Sequence, residues 1–283
     1  MEFNLYTDLP LRERTLIMGI LNVTPDSFSD GGDYFLPDSA IHRGVDLLQA
    51  GADILDIGGE STRPGAESVS ASEEVHRIGP VISGILNTRS NAVISVDTTK
   101  AAVADQMLNL GAKIINDISG MQFDDEMPGV IAKHQCPVVL MHIQGTPRTM
   151  QTNPVYDDVI TDILQYFTQR IEWAKSSGIK DRQIILDPGI GFGKTVEHNL
   201  QIIANLKRFT SLGYPVMVGA SRKSFIGKIL DLSVDQRLGG SLAAAVISVW
   251  NGAKILRVHD VTETVRALRL TDALNNTLQQ ESV

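Results

Sequence analysis

The chain has 283 residues, and its 25 lysines and arginines against 33 aspartates and glutamates give a net charge of −8. Hydrophobic residues make up 43% and charged residues 20% of the chain, proportions that exclude an intrinsically disordered protein. An acidic chain lacks the basic face that nucleic acids and anionic membranes require, so we expect neither as a partner. An anionic ligand must therefore meet positive groups that the fold gathers locally.

The cysteine content and the apolar runs bear on the cellular compartment. The single cysteine, Cys136, cannot form a disulfide within the chain, and the apolar run after it predicts a buried thiol. The N-terminus shows no basic region followed by an apolar one, which argues against a secretory signal. The longest nearly apolar run, 242–250, is about half the length of a membrane span. These features predict a cytoplasmic protein.

Short apolar runs rich in isoleucine and valine alternate along the chain with longer amphipathic segments. They do not alternate polar with apolar residues, which is typical of strands buried on both faces in a parallel sheet. Their starts are spaced by about 34 residues on average, the size of one strand–helix unit. The predicted strands are Leu16–Val23, Asp53–Gly59, Ala92–Thr98, Lys113–Ser119, Pro137–Ile143, Gln183–Gly189, Pro215–Ser221 and Lys254–Asp260.

The segments between the predicted strands carry helix signals. Apolar residues recur at helical spacing over 159–174. The sequence Ser-Ala-Ser-Glu at 70–73 is a capping-box pattern that predicts the start of another helix. A weak repeat with a glycine just before each return to the sheet predicts a helix end in a left-handed turn, at Gly51, Gly111 and Gly252.

Repeated strand–helix units in one uninterrupted chain predict an α/β fold, a closed (β/α)8 TIM barrel, with an open doubly wound sheet as the alternative. Enzymes with this barrel place their active site at the C-terminal ends of the strands. The predicted strands all end in polar residues, while their beginnings carry few. We therefore expect one domain: a barrel over residues 16–283, with residues 1–15 as an N-terminal extension packed on it.

Two acids and an amide end three of the predicted strands: Asp97, Asn116 and Asp187. Converging in a barrel mouth, they would form a pocket rich in hydrogen-bond acceptors. Such a pocket suits a ligand with several N–H donors, for example an aminopyrimidinone ring, and can stabilise a developing cation. The alternative for each acid is a helix N-cap at the strand exit.

Positive groups gather after the seventh and eighth strands, at Arg222, Lys223, Arg257 and His259. The last two loops of such barrels often bind phosphate. Residues two apart on a strand share a face, so Arg257 and His259 should point the same way. We therefore expect an anion site here, with isolated surface charges as the alternative.

Two polar loops follow the first and second predicted strands. Residues 22–32 are too rich in turn-forming residues to pack as core, and we expect them to form a loop over the barrel mouth. Residues 58–65 combine glycines with Arg63, which could clamp an anion. A plain solvated loop and a solvated arginine are the respective alternatives.

The segment Gly189–Thr195 resembles a Walker A phosphate loop but has only three residues between its glycines, where that motif needs four. We therefore reject an NTPase. The six histidines show no zinc-site spacing, which argues against a zinc site. A Mg²⁺ ion held by a substrate diphosphate and an oxygen ligand such as Asn22 is the metal that the sequence allows.

Taken together in chain order, these motifs resemble those of the dihydropteroate synthase family of folate biosynthesis, over nearly the whole chain. The resemblance rests on the segments Gly19–Gly32, Gly58–Gly65, Ser95–Thr98, Ile115–Ile118, Asp187–Lys194, Ser221–Ser224 and Arg257–Asp260. It implies a transferase that joins (7,8-dihydropterin-6-yl)methyl diphosphate to 4-aminobenzoate, giving 7,8-dihydropteroate and pyrophosphate by an SN1-like step with Mg²⁺. It also implies a homodimer and a site that sulfonamides compete for.

The resemblance also implies roles for individual residues. Asp97, Lys223, Arg257 and His259 would be catalytic, and Asn22 would contact the metal. The pterin diphosphate would contact the same four residues together with Thr62, Asn116, Met141, Asp187, Phe192 and Gly219. 4-Aminobenzoate would lie among Phe28, Thr62, Arg63, Pro64 and Ser221, and the first two loops would contribute Asp30 and Arg63.

Two other functions fit parts of this pattern. A pterin barrel that passes a methyl group from methyltetrahydrofolate to a corrinoid protein shares the fold and the acidic pocket, but it has no need for the arginine and histidine at 257 and 259. A non-catalytic paralogue would bind pterin or a partner enzyme without chemistry. The intact set of candidate residues favours the transferase over both.

Overall fold

The computed structural model describes residues 3–24, 36–62 and 65–280. Its strands are β1 Leu16–Asn22, β2 Ile54–Gly58, β3 Ile94–Asp97, β4 Ile114–Asp117, β5 Val138–Met141, β6 Ile184–Asp187, β7 Met217–Val218 and β8 Ile255–Val258. The helices are α1 Leu36–Gln49, α2 Ala71–Thr88, α3 Ala101–Leu110, α4 Met127–His134, α5 Val159–Ser176, α6 Val196–Ala204, α7 Lys207–Thr210, α8 Ser224–Leu230, α9 Leu238–Trp250 and α10 Val261–Gln280. Each predicted strand is present, with shorter bounds.

The strands form one 8-stranded parallel sheet in the order β6-β5-β4-β3-β2-β1-β8-β7. The remaining gap between β6 and β7 is bridged by Leu186 and Val216, and the Leu186 N–H donates to the Pro215 carbonyl at 2.9 Å. β7 is shorter than predicted because the chain leaves the sheet at Gly219. The sequential order with β1 beside β8 confirms the barrel and excludes the open doubly wound sheet.

The sequence-predicted helix signals are confirmed with one exception. α5 buries the apolar stripe of 159–174 against the core. Gly51, Gly111 and Gly252 have φ of +105°, +122° and +99°, as a left-handed helix end requires. Ser70 caps α2 by accepting from the Glu73 N–H at 3.1 Å, but the Glu73 carboxylate accepts from Arg77 Nε at 2.8 Å, so the predicted reciprocal box is only half formed.

Two layers of apolar packing determine where a site can lie. The larger layer fills the space between the sheet and its helices. The smaller one fills the barrel interior at the N-terminal ends of the strands, and Leu5 and Leu11, from the segment before β1, belong to it. Since that end is packed with apolar side chains, polar groups can gather only at the C-terminal ends. No helix in the described part of the chain is long and apolar enough to cross a membrane.

Candidate active site

Four polar side chains from different strands meet at the C-terminal end of the barrel. Arg257 on β8 donates from Nη2 to Asp97 Oδ2 on β3 at 2.7 Å. It also donates from Nε to Asp56 Oδ2 on β2 at 2.6 Å, and Asn116 Nδ2 on β4 donates to the same oxygen at 3.0 Å. The predicted acid Asp97, the predicted amide Asn116 and the predicted cation Arg257 therefore share one hydrogen-bonded network.

Burial governs the charge states in this network. Burial raises the pKa of Asp97 to about 7, although the Arg257 guanidinium opposes the change. Burial alone would lower the pKa of Arg257, but Asp56 and Asp97 more than reverse this, and its pKa is raised. Arg257 therefore stays charged, and its guanidinium opposes protonation of Asp97.

The site holds acceptors without protein donors. Asp56 Oδ1 and Asn116 Oδ1 are buried and have no hydrogen-bond partner among the described residues. Unpaired buried acceptors are costly, and their presence in a barrel mouth points to a ligand that brings N–H or O–H donors. The residues that N-cap the helices after β3, β4 and β6 are Lys100, Glu126 and Thr195, so neither Asp97 nor Asp187 serves as the helix cap considered as its alternative.

Asp187, at the end of β6, accepts from the Gly189 N–H through Oδ1 at 2.7 Å. Burial raises its pKa to about 6, against the opposing effects of this hydrogen bond and of Lys223. Burial, together with the charge of Arg257, lowers the pKa of Lys223 to about 8. The Lys223 ammonium lies 4.1 Å from the centre of the Phe192 ring, within cation–π range.

The structure places the four positive groups of the predicted anion site in different surroundings. Arg222 forms a bidentate pair with Asp260, at 2.9 Å and 2.5 Å, and has no hydrogen bond to the Arg257 network among the described residues. His259 Nδ1 lies 3.1 Å from Ser221 Oγ. Burial and the charge of Arg257 lower the pKa of His259 to about 4, so this imidazole is neutral at pH 7 in the free protein.

The other candidate residues lie at or beside the mouth where they are described. Met141 and Phe192 belong to one small buried apolar cluster. A Cβ added to Gly219 would lie 3.7 Å from Arg257 Cβ, so the backbone there faces the same network. Asn22 ends β1, and Thr62 is half-buried in the segment after β2. The candidates outside the described residues are Phe28, Asp30, Arg63 and Pro64.

Two buried charged residues have no role among those predicted from the sequence. Asp56 is fully buried, and its carboxylate accepts hydrogen bonds from Arg257 and Asn116. An acid inside a run as apolar as Ile54–Gly58 is itself the signal, because carboxylates are rarely buried without a partner. Lys194, which ends the glycine-rich segment after β6, is 3% exposed.

Comparisons with known proteins agree with this geometry. Residues 18–259 match the family of pterin binding enzymes. The dihydropteroate synthase of Haemophilus influenzae is 50% identical over 260 residues, which cover 92% of this chain and 94% of that protein. The Yersinia pestis enzyme, solved as a sulfonamide drug complex, is 47% identical with a TM-score of 0.88 and covers 94% of this chain and 96% of its own. The Xanthomonas albilineans enzyme, solved with 4-aminobenzoic acid, is 42% identical with a TM-score of 0.88. The match covers 93% of this chain and 94% of that enzyme's chain.

The fold, the acidic mouth and the family match define a barrel enzyme of the pterin-binding class. Within that class, the chain belongs to the dihydropteroate synthase family, whose members are transferases.

Proposed function

We propose that this chain joins (7,8-dihydropterin-6-yl)methyl diphosphate to 4-aminobenzoate, forming 7,8-dihydropteroate and releasing pyrophosphate. The observation that carries the proposal is the buried network of Asp56, Asp97, Asn116 and Arg257 at the barrel mouth. The similar Xanthomonas albilineans structure that holds 4-aminobenzoic acid supports the same assignment.

The acceptors of the mouth are suited to the pterin ring. Its pyrimidine edge presents several N–H donors, and Asp187 together with the unpaired oxygens of Asp56 and Asn116 supplies acceptors for them. Phe192 and Met141 provide the apolar wall that a flat ring needs. Lys223, over the Phe192 ring, can donate to the carbonyl edge of the pterin.

The chemistry requires departure of the diphosphate more than activation of the amine. An arylamine is neutral at pH 7 and needs no strong base. The methylene C–O bond breaks with its electron pair leaving on the diphosphate, the amine nitrogen then forms the C–N bond, and the amine proton is released. The cation formed between these steps is conjugated with the ring, and the Asp97 carboxylate is placed to stabilise it.

Arg257 and His259 are placed to receive the leaving group. Arg257 stays charged in the mouth, and its guanidinium can donate to phosphate oxygens. His259 is neutral before the diphosphate arrives. An anion beside it raises its pKa, so binding of the diphosphate should bring a proton to the ring.

Mg²⁺ is the metal that fits these residues. Among the described residues, no group of three or more histidines, cysteines, aspartates or glutamates could hold an ion alone. Mg²⁺ commonly keeps several waters and shares its shell with substrate phosphates, so the Asn22 amide oxygen would supply a protein ligand. When bound, the ion would neutralise charge on the departing diphosphate.

We also propose a homodimer through the outer helices α8, α9 and α10. α9 carries no charged residue, and its exposed positions recur at helical spacing. Large exposed apolar patches on a folded domain mark interfaces. The exposed residues of this face are Ile229, Leu230, Gly239, Ala243, Ile247, Trp250, Leu270 and Leu274. The cytoplasmic location stays a prediction from the sequence.

The test of the activity supplies the pterin diphosphate, 4-aminobenzoate and Mg²⁺ to the purified chain. We expect 7,8-dihydropteroate by mass spectrometry and an equal amount of pyrophosphate, with inhibition by a sulfonamide that rising 4-aminobenzoate relieves. Unchanged substrates, under conditions where a related synthase makes product, would overturn the proposal.

A further inference from the structure

The glycine-rich segment between β6 and α6 ends in a lysine that the reaction as proposed does not use. Gly189, Gly191 and Gly193 have φ of +69°, +82° and +64°, and this backbone course turns the Lys194 side chain into the protein. A side chain at Gly189 would collide with the His142 carbonyl, 2.0 Å from its Cβ. The segment is therefore built to lie directly on the end of β5.

The Lys194 ammonium has hydrogen-bond acceptors but no direct ion pair in the part of the chain that is described. Nζ lies 2.9 Å from the Phe192 carbonyl, 3.0 Å from His142 Nδ1 and 3.4 Å from the His142 carbonyl. Burial and the charge of Lys194 lower the pKa of His142 to about 2, so its ring is neutral and Nδ1 can accept. Lysine side chains are almost never buried this deeply unless they are paired with other groups.

The opposing charge that acts on Lys194 is Asp187, one of the acceptors assigned to the pterin ring. A Cβ built at Gly189 would lie 3.4 Å from Lys194 Nζ, and the Gly189 N–H donates to Asp187 Oδ1. Lys194 and Asp187 each move the other's pKa toward the charged form. Lys194 thus lies behind the carboxylate that the ring would meet.

We propose that Lys194 is a positioning residue for the transfer reaction: it fastens the β6–α6 loop to β5 and supplies a buried positive charge behind Asp187. The inference rests on the proposed function, because it takes Asp187 as an acceptor for the pterin ring. Lys194 itself does not touch the substrate.

The loop that Lys194 holds carries two further elements of the site. Phe192, whose carbonyl accepts from Lys194, lies under the Lys223 ammonium. A Cβ at Gly191 would lie 3.1 Å from Lys223 Cδ, so the loop backbone packs on the lysine stem. A shift of this loop would therefore move both Phe192 and Lys223 against the ring.

The electrostatic effect can be separated from the effect on loop position. The charged groups that act on Asp187 are Lys223, Lys194 and Arg257, while burial raises its pKa to about 6. Loss of the Lys194 charge should raise that pKa further and protonate Asp187 at higher pH. Burial lowers the pKa of Lys194 itself to about 7, so its charge, and with it the difference from an uncharged variant, fades at alkaline pH.

The test compares Lys194→Met and Lys194→Arg with Tyr156→Phe as a matched control. Tyr156 donates to the Gly193 carbonyl at 2.7 Å, so the control loosens the same loop without changing charge. The dissociation constant of a pterin without diphosphate is measured calorimetrically from about pH 5 to about pH 9, together with kcat and KM.

For Lys194→Met we expect the acid-side midpoint of pterin binding to move up by about one pH unit. KM for the pterin diphosphate should rise about fivefold near pH 6, kcat should change less, and the difference from wild type should shrink above about pH 8. Lys194→Arg should restore the wild-type midpoint. A midpoint unmoved in Lys194→Met, or moved equally in Tyr156→Phe, overturns the proposal.

A second readout does not depend on catalysis. The carboxyl carbon of Asp187, followed by NMR, should titrate at higher pH in Lys194→Met than in wild type. If Lys194→Met does not fold, Lys194→Gln replaces it in the same titration. An equal Asp187 midpoint overturns the inference even if the enzyme makes product, whereas a raised midpoint in a chain that makes no product overturns only the proposed function.

Discussion

Arg257 and Asp97 are 160 residues apart in the chain, and their side chains meet at 2.7 Å inside the barrel mouth. Asp56 accepts a second hydrogen bond from the same guanidinium, through Nε at 2.6 Å. The site is therefore ordered by its own charges before any ligand is present. Removing a member of a buried ionic network leaves the remaining charges uncompensated.

Arg257→Gln should lower the free energy of unfolding by about 3 kcal/mol at pH 8. The loss should be smaller at pH 6. The pKa of Asp97 is already raised to about 7, so the carboxyl group takes up a proton as the pH falls and the uncompensated charge disappears. Denaturant unfolding at both pH values measures the difference.

Arg14→Gln is the matched control for that variant. Arg14 also forms a two-point pair with a carboxylate, that of Asp53, but its side chain is 44% exposed. Its loss should cost about 1 kcal/mol or less at both pH values. Equal losses at pH 6 and pH 8 in Arg257→Gln would show that Asp97 does not titrate in the folded protein.

Binding of the pterin diphosphate should be accompanied by proton uptake near pH 7. His259 is neutral in the free protein because burial and Arg257 lower its pKa to about 4, and a diphosphate beside it raises that pKa. Calorimetric titration in buffers of different ionisation enthalpy gives the number of protons taken up.

His259→Gln should abolish this uptake, whereas His134→Gln, which changes a histidine paired with Asp105 on α3, should leave it unchanged. If proton uptake persists in His259→Gln, a group other than His259 takes up the proton.

The barrel architecture could be predicted from the sequence, but which side chains reach its mouth could not. Buried runs at regular spacing determine a barrel, and polar strand ends locate its mouth. The sequence pattern predicts the same role in an anion site for Arg222 and Lys223. In the structure, Arg222 adopts a φ of +56° and pairs with Asp260. A local backbone conformation of this kind depends on tertiary contacts that one sequence does not reveal.

Asp56 is a site residue that the sequence pattern does not identify. Asp56 lies in a predicted strand. Its place in the site follows from the pairing of Asp56 with Ser95 and from the hydrogen bond that Arg257 donates to it across the barrel. Strand register, rather than residue type, decides which acids face the interior.

Ile247→Asp should convert the proposed dimer to a monomer. Ile247 is 48% exposed on the uncharged face of α9, and a carboxylate buried in an apolar interface is strongly unfavourable. Light scattering coupled to size exclusion measures the mass.

Val155→Asp is the control for the interface, because Val155 is 62% exposed in the segment between β5 and α5. It should leave the mass unchanged. A monomeric wild type would overturn the proposed dimer, and a dimer that survives Ile247→Asp would place the interface on another surface.

The most direct test of the account is single-turnover kinetics of Asp97→Asn, with the dissociation constant of the pterin diphosphate measured on the same protein. If the carboxylate stabilises the methylene cation, the rate of C–N bond formation should fall about 10²- to 10³-fold while the dissociation constant changes less than about threefold. A rate that falls only as far as binding weakens would contradict the account, because Asp97 would then hold the ring without assisting departure of the diphosphate.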